Sequence, residues 1–71
     1  MAVIGHWHGP VPEYDDFGDR IMMEMVDGAT RQGPWAMMTP KSHKVHGRGL
    51  GIGKGQRYKK QPDGKWLKVE G

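Results

Sequence analysis

Between residues 47 and 55 the chain reads Gly-Arg-Gly-Leu-Gly-Ile-Gly-Lys-Gly, with a glycine at every second position. Glycine has no Cβ, adopts positive φ without strain, and loses more backbone freedom on folding than any other residue. Such a segment makes turns and places where one backbone approaches another, not helix or regular strand. The character extends along the sequence, with 12 glycines and 5 prolines in 71 residues. Long elements are therefore not expected, and short strands joined by tight loops are. Leu50 and Ile52 read as the apolar anchors of the glycine segment.

Size tightens the constraint. A chain of this length buries only about 60% of its unfolded surface, so its interior is small. It has no cysteine, which excludes disulfides and thiolate metal sites. Reinforcement from a partner, a second copy or a histidine-held metal is the usual remedy. No apolar run approaches the roughly 18 residues a membrane span needs. The first nine residues lack a basic stretch followed by an apolar one, so no signal peptide is expected.

The expected fold is mostly β: a small irregular domain of short strands and hairpins with one short helix, preceded by an extended N-terminal arm. Residues 1–20 form the arm, because Pro10 and Pro12 remove two backbone donors and favour extended geometry. A short strand is expected over residues 2–7. The remaining residues, 21–71, form the β-hairpin domain. Residues 21–26 (Ile-Met-Met-Glu-Met-Val) read as a strand closed by an Asp27-Gly28 turn. Ile21, Met23 and Met25 then share one face, and methionines at this spacing fill a core. Gly33-Pro34 is a turn, and residues 35–38 are a second strand. Thr39-Pro40 starts a helix, with Thr as N-cap and Pro at the first helical position. Gly47 ends that helix. The clearest element is a hairpin of residues 56–61 and 65–69 around Pro62-Asp63-Gly64.

Charge is divided along the chain. Residues 1–39 hold two cations against six carboxylates, a net of −4, whereas residues 40–71 hold nine against two, a net of +7. This asymmetry suits a nucleic-acid surface, or an acidic part of one subunit docking on a basic part of another. For nucleic acid, Lys41, Lys44, Arg48, Lys54, Arg57, Lys59 and Lys60 are the phosphate-neutralising candidates, and Tyr58 and Trp66 the stacking ones. The alternative is a solvated hairpin whose aromatics pack inward. For protein partners, Trp7, Tyr14 and Phe17 on the arm are the expected contact residues. The arm needs a surface to lie on, either its own domain or a neighbour's.

Catalytic constellations are missing. The only serine, Ser42, adjoins His43, and adjacent residues on a helix do not face each other. Asp15, Asp16 and Asp19 sit on the arm with nothing evident to shift their pKa values. The glycine segment is not a phosphate-binding loop, since Arg48 stands at the upstream glycine position and Gly55 where a hydroxyl is required. His6 and His8 form one spaced pair, His43 and His46 another. Nothing in the sequence shows that the pairs meet, so they are expected to be surface or hydrogen-bonded histidines rather than zinc ligands. No enzyme, cofactor or metal is expected.

Gly33-Pro34-Trp35-Ala36, the stretch from Gly49 to Tyr58 and the closing Asp63-Gly64-Lys65-Trp66-Leu67-Lys68-Val69 carry a resemblance. Over residues 21–71 the chain is similar to short uncharacterised phage-type proteins with a zinc-ribbon look. This chain departs from them where metal-binding cysteines are implied: Thr39 and Ser42 stand at one pair, and the other falls near residues 15–18. The resemblance implies a virion or host-cytoplasm setting. Within that setting, the arm and the charge division favour a structural or assembly protein of a phage particle, such as a capsid decoration or cement protein. Its expected partners are other protein subunits, in a homo-oligomer or larger assembly. The alternative is a metal-free, zinc-ribbon-like nucleic-acid-binding module using the basic C-terminal half.

Overall fold

The structure, a computed structural model, describes residues 5–7 and 9–71. It is mostly β, as expected. Strands β1 (Glu24–Ala29), β2 (Trp35–Met38), β3 (Gly55–Lys60) and β4 (Trp66–Glu70) form one open antiparallel sheet in the order β2-β1-β3-β4. Among the described residues one helix, α1 (Pro40–His46), follows β2 and packs against β1 and β2.

Turn chemistry explains the elements that were legible locally. In the β3–β4 hairpin, Gln61 N donates to Lys65 O at 2.7 Å, Lys65 N donates to the Asp63 carboxylate at 2.9 Å, and Gly64 has φ 86°. Val69 lies at a bulge opposite Arg57 and Tyr58, where the register slips by one residue. Thr39 caps α1, accepting from Ser42 N at 3.1 Å. Gly47 ends the helix in an extended conformation rather than the left-handed one. Its Cα packs on His43, where a Cβ would fall 2.2 Å from the ring.

The first strand differs from its sequence reading. It begins at Glu24 and runs through Asp27-Gly28, which is therefore not a turn. Gly28 pairs with Gly55 of β3, and a Cβ on it would lie 2.8 Å from Lys54 O. Close approach of two strands, not positive φ, is what this glycine provides. The turn falls at residues 30–34, where Thr30 N and Oγ1 both donate to Pro34 O and Gly33 has φ 112°. Met22 and Met23 precede the strand and are exposed, so only Ile21 and Met25 of the expected apolar face point inward.

Both faces of the sheet are covered. On one, Ile21, Met25 and Trp66 form the core, with Trp7, Val11, Met37 and Tyr58 packed against them. On the other, Val26 and its cross-strand partner Met38 are fully buried beside the helix.

The arm is part of this domain. Residues 5–7 extend along β4, with Trp7 N donating to Trp66 O at 2.9 Å and Lys68 N to Gly5 O at 2.7 Å. The chain then crosses the core face through Val11 and reaches the free edge of β2. There Asp16 N donates to Met37 O, and Met37 N to the Asp16 carboxylate. One strap thus seals both edges of the sheet, which would otherwise template pairing with another chain. Gly5, Trp7, Val11 and Asp16 bond to or pack on the sheet; of the strand expected over 2–7, residues 2–4 lie outside the described residues.

Candidate functional site

The strap is held by one carboxylate. The loop after Tyr14 folds back, with Asp15 N donating to Asp19 O and Ile21 N to Glu13 O. This turns the Asp15 side chain inward to 6% exposure. One of its oxygens accepts from Phe17 N at 2.9 Å and Asp19 N at 2.8 Å; the other accepts from Thr39 N at 2.9 Å. Thr39 Oγ1 in turn donates to the Asp19 carboxylate. Burial by itself pushes the Asp15 carboxyl up. Donors from Ser42, Thr39, Asp19 and Phe17 together outweigh it and hold the group below its ordinary value. The sequence reading saw no burial here; the structure corrects that. Asp15, Asp19, Thr39 and Ser42 meet at one point, joining the strap to the start of α1.

The three expected partner contacts divide. Trp7 belongs to the molecule's own core, edge-on to Tyr58 with ring centroids 5.6 Å apart. Tyr14 is half exposed, and Phe17 stacks on the His46 ring at 3.9 Å with part of its surface open. The histidines also separate. His6 bridges to Leu67 of β4, His43 Nε2 meets Gly49 O at 2.9 Å, and His46 stacks on Phe17; His8 lies outside the described residues. Among those residues no three histidine or carboxylate side chains converge as metal ligands do.

The basic candidates are not one surface. Arg57 is paired with Glu24 of β1 and, at 2.8 Å, with Glu70 of β4, an ion pair spanning three strands. Lys59 and Lys60 are exposed on opposite faces of β3. Lys41 and Lys44 are exposed on α1, and Arg48 and Lys54 in the glycine loop. Tyr58 is half-buried and Trp66 buried, so neither offers a free ring for base stacking. Burial, and then the nearby Asp27 carboxylate, push the Tyr58 phenol up, and burial pushes Asp27 up.

The acidic residues are mostly engaged inside the chain, as caps, loop bonds or partners of arginine. Nine of the eleven Lys and Arg side chains have no carboxylate within ion-pair distance among the described residues, since only Arg20 and Arg57 are paired. Among the described residues, unpaired cations outnumber carboxylates without an arginine partner by nine to five.

Apart from Tyr14 and Phe17, sequence reasoning missed the exposed apolar set. Among the described residues, eight large apolar side chains are 39–98% exposed, whereas six apolar residues, one an alanine, are buried. Ile52, read as an anchor, is 98% exposed at the tip of the glycine loop. Its neighbours Gly51 and Gly53 both have positive φ, and Gly51 and Gly55 exchange two backbone hydrogen bonds. Glycines on both sides of a lone isoleucine were the available signal, because nothing adjacent can cover it. Met22 and Met23 (64% and 56% exposed) flank a shallow cleft beside Pro40. No family model, curated protein or solved structure matches this chain.

Proposed function

We propose that this chain is a non-enzymatic structural or assembly protein of a phage particle, of the decoration or cement kind, that docks on other protein subunits. The observation that carries the reading is the apolar inventory: among the described residues, more large hydrophobic side chains face solvent than are buried. Exposed apolar side chains mark an interaction surface where they lie together, as Met22 and Met23 do with Pro40 along one cleft. The meeting of Asp15, Asp19, Thr39 and Ser42 supports the phage-type resemblance. These residues lie at or beside the places where it implies metal-binding pairs, and a hydrogen-bonded knot there does the joining that a metal would do. Native mass measurement of the chain purified from its producing cells tests the reading. A complex with other subunits, or multiples of the 8.0 kDa chain, is expected. A monomer free of any protein overturns it.

A second reading is favoured by the nine unpaired cations: a nucleic-acid-binding module. With Tyr58 and Trp66 packed inward, such binding rests on phosphates rather than base stacking, and its affinity falls steeply with salt. Fluorescence anisotropy with labelled DNA and RNA at about 50 mM salt measures it. No binding under those conditions sinks this reading.

A further inference from the structure

We propose that the Ile52 tip of one copy inserts into the Met22–Met23–Pro40 cleft of a second copy, joining chains head to tail. This deepens the assembly reading and rests on it.

The tip is built to present a side chain. Gly51 N donates to Gly55 O at 2.9 Å, and Lys54 N and Gly55 N both donate to Gly51 O at 3.0 Å. Gly49, Gly51 and Gly53 occupy the left-handed region (φ 94°, 124° and 75°), where other residues are strained. The loop is therefore ordered by its own hydrogen bonds, yet Ile52 touches almost nothing in its own chain. A pre-organised apolar knob loses little entropy on docking.

The cleft is the complementary feature. Met22 and Met23 are the exposed methionines outside the core, and Pro40 adds a third apolar wall. Methionine adapts its shape to an incoming side chain. Asp19 and Glu24 stand at the rim with Arg20 and Lys41. Arg20 is turned to Glu13, while Asp19 Oδ1 and Glu24 Oε2 have no partner among the described residues. Those oxygens suit Lys54, which accompanies Ile52 and is unpaired. The tip lies in the +7 half of the sequence, and most of the cleft in the −4 half.

The two features cannot meet within one molecule. The tip adjoins Gly55, where β3 faces Gly28. The cleft adjoins Met23, whose carbonyl accepts from Lys60 N at the far end of β3. The length of β3, about 17 Å, separates them. A knob at one end and a socket at the other make a heterologous contact, which closes into a ring or extends as a chain.

Sedimentation velocity and native mass measurement on purified protein test this with two variants, I52D and the double variant M22K/M23K. All three positions are exposed, and circular dichroism verifies that each variant folds. The wild type is expected to self-associate beyond a dimer with rising concentration, and each variant alone to remain monomeric. The informative sample is the equimolar mixture. I52D keeps its cleft and the double variant keeps its tip, so the mixture forms one heterodimer and nothing larger. A wild type that stays monomeric, an I52D protein that still self-associates, or a mixture that stays monomeric overturns the proposal. If the wild type is monomeric alone but purifies with a different subunit, the tip-to-cleft contact falls and the assembly reading stands.

Discussion

Asp15→Ala is expected to destabilise the fold by about 4 kcal/mol, most of what a domain of this size has. A buried donor left without an acceptor costs about 1–3 kcal/mol, and Asp15 satisfies the buried N–H of Thr39 and the part-buried N–H groups of Phe17 and Asp19. Total stability for small domains begins near about 5 kcal/mol. The neighbouring Asp16→Ala removes one exposed bond to Met37 N and is expected to cost under about 1 kcal/mol. Urea denaturation midpoints of the two variants measure the contrast. Equal midpoints would show that the strap is held by something other than the Asp15 carboxylate.

The same group sets a pH dependence. Its folded pKa lies below its unfolded value. A depressed carboxyl contributes stability that is fully present above the unfolded pKa and disappears as pH falls through the folded one. The wild type is therefore expected to lose stability below about pH 4, and the Asp15→Ala protein to lose less over the same range.

Met25→Ala is the second large effect. Met25 has no exposed surface and belongs to the core cluster with Ile21 and Trp66. Truncating a buried methionine costs about 2–5 kcal/mol, through lost burial and the cavity left behind. In a domain of this size that lowers Tm by roughly 10 °C or more. Met23→Ala, two residues earlier, is expected to change stability by less than about 0.5 kcal/mol, because Met23 is exposed. Thermal melts of the pair decide where β1 begins. The reverse ranking would place Met23 inward and extend the strand back to Ile21.

The methionines show how far local reading carries. Alternation correctly placed Met25 and Ile21 inward, but it also placed Met23 there. The ladder runs out around Met23: Lys60 N still takes its carbonyl, but Ile21 N is already bonded to Glu13 of the strap instead of the sheet. Gly28 is a parallel case. Asp-Gly is a turn signal by composition, yet the glycine was selected by the backbone of Lys54 and Gly55 across the sheet. Ile52 was read as an anchor because it is apolar, and only the tertiary structure shows it almost wholly exposed.

By itself the sequence determined what depends on residues a few positions apart. The Pro62-Asp63-Gly64 hairpin, the Thr39-Pro40 helix start, the mostly-β class and the shortage of core all follow from local backbone preference and composition. The tertiary structure decided where the arm lies, which carboxylate is buried, which aromatics stack inward and which cations remain free. Those outcomes rest on partners far apart in the chain, as when Asp15 meets Thr39 across 24 positions. Such contacts form only when the sheet brings distant backbone donors to one acceptor, and no local pattern in the chain encodes that meeting.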